Sequence, residues 1–311
     1  MERFGQSVLH PAGAEADTVA MLWWIMLAGS ALVTALVLGL VLYVALRDPS
    51  RRRPVSGRWL IVAGGVVLPV VPLTSLLFYS LDATARLRTA AAEPALTVEV
   101  QGHRWWWEVR YPGEGMAAFT TANHIQLPVD TTVRLRLTSQ DVIHSFWVPN
   151  LAGKLDLIPG VPAEIILRPT RTGLFRGQCA EYCGAQHANM ALHVEVVTAD
   201  AFDAWRTRSQ QPATFADEPL ARRGEALFHS SGCVACHTIH GSPAHGRVGP
   251  DLTRLRERHA LAAGTLPANR AHLSAWIVDA QHFKPGSLMP SFTGFSGADI
   301  RALVAYLEGL Q

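Results

Sequence analysis

Cysteine is scarce in this sequence: there are four in 311 residues, and grouping Cys179 with Cys183 and Cys233 with Cys236 leaves no odd thiol. Close pairs of this kind point to metal, haem or disulfide chemistry rather than to a lone reactive cysteine. Charge is also scarce, with 17% charged residues and a net charge of +2. No run of Lys and Arg interleaved with aromatics occurs in the C-terminal two thirds, which excludes the electrostatic footprint of a nucleic-acid partner. Internal repeats and low-complexity tracts are missing, so repeat architectures are excluded. Two stretches, Thr18 to Leu46 and Trp59 to Leu81, lack charge altogether. Each exceeds the roughly 20 apolar residues that cross a bilayer as a helix. A cleaved signal peptide fits the first poorly, because the run is too long, Glu15 and Asp17 precede it, and a second span follows.

What is present completes the membrane reading. Half of the residues are hydrophobic (49%), and the mean hydropathy is positive. The short connection between the spans carries Arg47, Arg51, Arg52, Arg53 and Arg58 against a single acid, Asp48. The positive-inside rule makes that loop cytoplasmic. Everything after about residue 82 is then expected on the periplasmic or outer side of a bacterial inner membrane. Trp23, Trp24, Trp59 and Tyr79 sit near the span ends, where interfacial aromatics belong. Pro69 and Pro72 fall inside the second span, where neighbouring helices satisfy freed backbone groups.

Texture divides the chain into a polar leader (1–17), a two-span transmembrane hairpin (18–82), a β-rich region (95–198), a linker (199–216) and a helical C-terminal domain (217–311). "LTVEVQGHRWWWEVRY", "TTVRLRLTS", "AEIILRP" and "LHVEVV" alternate apolar with polar residues between turn formers. They predict an antiparallel β-sandwich. "ADAFDAWRTRSQQPATFA" predicts a terminal turn of helix and a polar linker. "EPLARRGEALFHSSG", "RAHLSAWIVDA" and "SGADIRALVAYLEGL" are helical, the last opening on a Ser N-cap.

The string Cys179-Ala-Glu181-Tyr-Cys183-Gly-Ala-Gln-His187-Ala-Asn-Met190 gathers two thiols, an imidazole and a thioether in one loop. Such a soft donor set suits copper rather than calcium or magnesium. A second imidazole, His144, follows a strand-like segment in "DVIHSFWVPN". Taken singly, each residue has a plainer reading: a disulfide for the cysteines, core filling for Met190, a loop histidine for His144. Their order and spacing resemble the binuclear copper domain of cytochrome c oxidase subunit II, a cupredoxin-like sandwich. That resemblance implies Cys179 and Cys183 bridging two copper ions, with His144 and His187 as terminal ligands. Met190 and the Glu181 carbonyl are then weak ligands to one copper each, and the Glu181 side chain contributes to a magnesium site shared with subunit I. Gly102-His103-Arg104-Trp105-Trp106-Trp107 is similar to the family's aromatic segment, with Trp105 at the position of its electron-accepting tryptophan. A strand of core or membrane-facing aromatics is the plainer reading, preferred for Trp106 and Trp107. "GKLDLIPG", with Asp156, is also similar to a family segment but carries no assigned role.

Cys233-Val-Ala-Cys236-His237 is the C-x-x-C-H pattern of covalent haem attachment. A short C-x-x-C also suits redox or zinc chemistry. Context favours haem: an amphipathic helix precedes it, and "GSLMPSF" supplies Met289, the only methionine of this domain. Proximal His237 with distal Met289 gives the six-coordinate iron of electron-transfer cytochromes. The final helix, with Tyr306, is expected to pack on the first around Gly224 and Phe228. The region resembles a class I cytochrome c. His229, His240, His245, His259, His272 and His282 are expected on surfaces or in loops.

Together these resemblances cover almost the whole chain. They imply the electron-input subunit of a haem-copper terminal oxidase. It passes electrons from cytochrome c or another redox donor, through haem c and copper, to the oxygen-reducing, proton-pumping subunit I, with subunit III as a further partner. The cytochrome domain is expected to fold back over the copper edge. One departure is that "PVSGRWLIVAGG", at the start of the second span, lacks the glutamate that serves a proton path in relatives. Alternatives are the copper-bearing subunit of a nitric oxide reductase, a membrane-anchored electron carrier and a copper-storage protein. A quinol-oxidase subunit is excluded if the copper ligands are real.

Overall fold

The computed structural model describes residues 5–48, 50, 57–89, 93–113, 117–215 and 217–311. It divides into two compact units, residues 17–92 and residues 1–16 with 93–311. Arg51, Arg52 and Arg53, on which the orientation partly rests, lie outside the described residues.

Helix α1 runs Ala14–Leu46, and the second apolar segment is helical from Gly57 to Ala85 and beyond. This second helix is not uniform. It comprises α2 (Gly57–Val62), a π-helical turn (Ala63–Val67) and α3 (Leu68–Thr89). Pro69 and Pro72 have no N–H for the carbonyls of Gly65 and Leu68. The π turn lies where the first of these bonds is missing, a usual place for such a bulge. Leu32, Leu46 and Trp59 are among many apolar side chains left exposed along both helices. That is the surface a lipid phase accepts.

The β-rich region is built from β1 (Leu96–His103), β2 (Trp106–Tyr111), β3 (Phe119–Ala122), β4 (His124–Pro128), β5 (Val133–Ser139), β6 (His144–Trp147), β7 (Leu155–Leu157), β8 (Ala163–Leu167), β9 (Gly173–Cys179) and β10 (Ala191–Val197). They form two five-stranded sheets, in the orders β3-β2-β1-β5-β8 and β4-β10-β9-β6-β7. Period-two alternation buries Val98, Val100, Trp107, Val109, Leu135 and Leu137 from the first sheet against Ile125, Leu127, Phe146, Phe175 and Val194 from the second. The expectation of an antiparallel sandwich needs correction, because β1 pairs with β5, and β10 with β4, in parallel. Alternation identifies a strand and its buried face, but not the direction of its neighbour.

Residues 199–216 also differ from the expected turn and linker. Helix α4 (Ala199–Ser209) is three turns long, and Thr198 caps it by accepting from the Ala201 amide. Phe202 and Trp205, one turn apart, pack on Tyr111. Ala12 of the leader is anchored as well. The Ala12 amide donates to the Asn150 carbonyl at 2.7 Å, and the Thr170 amide donates to the Ala12 carbonyl at 2.7 Å.

The C-terminal region contains α5 (Pro219–Ser230), α6 (Arg270–Val278), α7 (Ala280–Phe283) and α8 (Gly297–Gly309). Pro219 occupies the first turn of α5, where its missing N–H costs nothing. Ser296 and Asp299 form a reciprocal capping box at the start of α8. Helices α5 and α8 cross at Gly224, where a Cβ would sit 2.0 Å from the Ala302 carbonyl oxygen. Phe228 and Tyr306 meet beside this crossing with ring centroids 5.8 Å apart. This is the contact expected from the sequence.

Candidate copper and haem sites

The first candidate site lies at one end of the second sheet, where the β9–β10 loop meets the start of β6. Phe146 pairs with Cys179 across these strands. The Ala180 amide donates to Ser145, and the Cys179 amide donates to Met190, both at 2.9 Å. The loop is thereby tied down at both ends, and its donors converge. Cys179 Sγ lies 3.7 Å from Cys183 Sγ, 3.8 Å from His144 Nδ1 and 3.2 Å from the Glu181 carbonyl. Cys183 Sγ lies 3.6 Å from His187 Nδ1 and 3.8 Å from Met190 Sδ. His144, both cysteines and Met190 are buried, while His187 is half-buried. All four cysteines of the chain are free thiols.

The protonation behaviour of the two thiols fits a cation between them. Their mutual contact and burial push the Cys183 thiol up, while the same contact, aided by His144, pulls the Cys179 thiol down. Two thiolates at this separation repel in a poorly solvated site. Soft cations bound to both sulfurs remove that conflict. The donor set, two thiolates with two imidazoles, a thioether and a carbonyl, therefore fits a binuclear copper centre.

Asp141 orients this set, a role that sequence reasoning missed. Its Oδ1 lies 2.8 Å from His144 Nε2. A proton held on Nε2 leaves the Nδ1 lone pair facing Cys179, the usual outer-shell arrangement around a metal-binding histidine. Burial pushes the Asp141 carboxyl up, but hydrogen bonds from His144 and from the Val142 and Arg104 amides outweigh it, and the net shift is downward. Gly102 of β1 makes room for the imidazole, since a Cβ there would lie 2.8 Å from the His144 ring. The available signal was an acid three residues before the candidate ligand. Asp156 is an exposed residue of β7, paired opposite Ser145.

The second candidate site is a cavity of about 390 Å³. Cys233, Cys236, His237 and Met289 all line it. Cys233–Ala235 forms a 3-10 turn after α5, entered through Gly232 at φ +83°. His237 Nδ1 lies 2.7 Å from the Pro250 carbonyl, so Nδ1 donates and Nε2 is left to accept. Gly249 permits this, since a Cβ there would lie 2.6 Å from the imidazole. The Gln281 side-chain amide holds the Met289 segment by donating to the Met289 carbonyl at 2.7 Å. An apolar cavity bounded by two thiols, an imidazole and a thioether fits covalently attached haem.

The two sites share a wall. Trp105 and Trp106 line the haem cavity beside Arg104 and Asn123. Trp105 is 8% exposed, and its Nε1 donates to the Cys183 carbonyl at 2.9 Å. Its ring also fills the space beside Gly184 and Gly286. Trp107 is a core residue, edge-on to Phe146. Trp106 departs from expectation: it is half-buried, stacks on His103 and faces the haem cavity. Lys284, unremarked in the sequence, bridges the same boundary. Its buried Nζ donates to the carbonyls of Trp105 (2.7 Å), Asn189 (2.7 Å) and Ala262 (3.0 Å). Burial pulls this ammonium down to about 7, with the Cys183 sulfur opposing.

Comparison with known proteins agrees with both halves of this geometry. Residues 113–197 match the family model for the periplasmic domain of cytochrome c oxidase subunit II, and residues 221–311 match that for cytochrome c. Cytochrome c oxidase subunit 2 of Alkalihalophilus pseudofirmus is 31% identical over 318 aligned positions, covering 98% of this chain and 91% of the relative. The chain belongs to the cytochrome c oxidase subunit 2 family. The Bacillus subtilis subunit 2 is 34% identical over 71% of this chain and 64% of its own length. Among solved structures, the periplasmic domain of subunit II from Bradyrhizobium japonicum is 32% identical, covering 39% of this chain and 96% of its own, with a TM-score of 0.36. As a subunit 2 the chain is a membrane-anchored protein with an outer-side domain, part of an oxidase complex that uses copper and haem.

Proposed function

We propose that this chain is the electron-input subunit of a haem-copper terminal oxidase. It takes single electrons from cytochrome c or another redox donor on the periplasmic side of a bacterial inner membrane and delivers them to subunit I. Haem c and two copper ions supply the reversible one-electron chemistry when bound. Cys233 and Cys236 would attach the haem, and His237 and Met289 would hold its iron. His144, Cys179, Cys183, His187, Met190 and the Glu181 carbonyl would hold the copper pair.

The protein's own residues keep these groups still and dry. Asp141 fixes the His144 tautomer, the loop's backbone bonds hold the thiols, and Trp107 and Phe146 form the apolar backing. No general acid, base or nucleophile is needed. The observation that carries the reading is Trp105, which walls the haem cavity and donates to the Cys183 carbonyl. It gives a hydrogen-bonded path from the wall of the haem cavity to Cys183, which would be a copper ligand. Oxygen reduction and proton pumping belong to subunit I, with subunit III as a further partner. The Glu181 carboxylate would contribute to a magnesium site shared with subunit I.

Metal analysis with optical and paramagnetic spectra of the purified chain in detergent tests this reading. The expected result is two coppers for each covalently bound haem iron, with a mixed-valence copper signal. Haem without copper, together with a Cys179–Cys183 disulfide, would reduce the protein to an anchored cytochrome.

A further inference from the structure

A second group of metal-binding side chains lies away from the thiol loop, between the sandwich and the cytochrome region. His124 of β4 and His259 both point Nε2 at the same oxygen of Glu195, on β10, at 3.2 and 3.0 Å. The three donor atoms all lie within 4.8 Å of one another. His193 stands opposite His124 in the parallel β4–β10 pair, two residues before Glu195 and on the same face. Its ring centroid is 5.9 Å from that of His259. Three imidazoles and a carboxylate are therefore gathered where the sheet's outer face is covered by the 259–266 segment. Glu195 is five residues along the strand from Met190, about 16 Å at the usual rise.

We infer that His124, Glu195 and His259 form a binding site for a divalent first-row cation of the zinc type, which clamps the cytochrome region to the copper sandwich. Imidazole and carboxylate donors suit zinc, whereas hard calcium and magnesium ions take all-oxygen shells. Tetrahedral bonds of about 2.0–2.2 Å place neighbouring donors about 3.3–3.6 Å apart. The observed imidazole–Glu195 separations of 3.0 and 3.2 Å lie close to that spacing, and all three donor atoms lie within 4.8 Å of one another. His193 or water takes the fourth position. The His259 and Glu195 side chains are partly exposed, at 23% and 18%, which gives an ion a way in. His259 is the one ligand from the cytochrome region, so occupancy cross-links that region to two sandwich strands.

The test uses the full-length chain in detergent with its haem and copper, stripped of loosely held metal by a mild chelator. Cobalt(II) is titrated with optical detection, and zinc is then used to displace it. The expected result is a single cobalt ion with an intense tetrahedral visible spectrum, displaced by zinc, while the copper absorption is unchanged. His259→Ala and Glu195→Gln, at partly exposed positions, should each weaken cobalt binding about tenfold or more. Equal affinity in His259→Ala and wild type would place the ion elsewhere and overturn the inference. Absence of binding in the wild type would leave only an acid–imidazole hydrogen-bond cluster and would overturn it too.

Discussion

The indole of Trp105 and the carbonyl of Cys183 are joined by a 2.9 Å hydrogen bond across 78 residues of sequence. One ring thereby belongs to both redox regions. In Trp105→Phe the bond is lost while most of the buried surface remains, at a cost of about 1 kcal/mol. Haem and copper content should stay normal, and copper reduction after flash reduction of the haem should slow severalfold. An unchanged rate by stopped-flow or flash photolysis would remove Trp105 from the path.

Asp141 is expected to act on copper without touching it. Asp141→Asn keeps the shape but alters the partner of His144 Nε2. Outer-shell changes of this type typically cost about 10–100-fold in metal affinity. Competition against a copper chelator measures the loss, with haem content as the internal control.

Lys284 makes the domain boundary sensitive to pH. Its folded-state value, about 7, lies below the ordinary 10.5 because of burial. The unfolded chain therefore holds this proton more tightly. Below about pH 7 the cost of the buried ammonium is felt in full, and it fades as pH rises towards 10.5. Resistance of the cytochrome region to denaturant, followed by haem absorbance, should rise between pH 7 and 9. Lys284→Met should flatten that rise and lower stability by about 1–3 kcal/mol, since three carbonyls lose their donor.

The α5–α8 crossing leaves no room for a methyl group at Gly224. Gly224→Ala is expected to separate the helices and destabilise the cytochrome region by about 1–3 kcal/mol. Denaturation followed by haem absorbance should show the loss, and the copper spectrum should not move.

Legibility in the sequence tracks how local each feature is. The donors from Cys179 to Met190 share one string, and the haem motif and Met289 stand in recognisable local contexts. Tyr306 against Gly224 is legible from two amphipathic helices. Asp141 is within reach, three residues before His144, but its role depends on ring geometry. Lys284 and the His124–Glu195–His259 group are not legible, because their partners lie 22 to 179 residues away and meet only through tertiary packing. His259 reads as a loop residue in the sequence for that reason. Trp205 reads as part of a linker because one short helix gives little periodicity, although its indole is buried on Tyr111 and donates to Glu257 at 3.1 Å.

The near-complete burial of Trp105 between the thiol loop and the chain's own cytochrome region changes what limits its encounter with a haem. A free carrier would have to diffuse to that indole, at a rate set by its abundance and by ionic strength. A partner tethered through the short segment between Ser209 and Pro219 is instead present at an effective concentration on the order of millimolar. Dilution and salt should then govern only how the outermost haem is supplied, and the handover beneath it should proceed at the same pace in a crowded cell or a dilute cuvette.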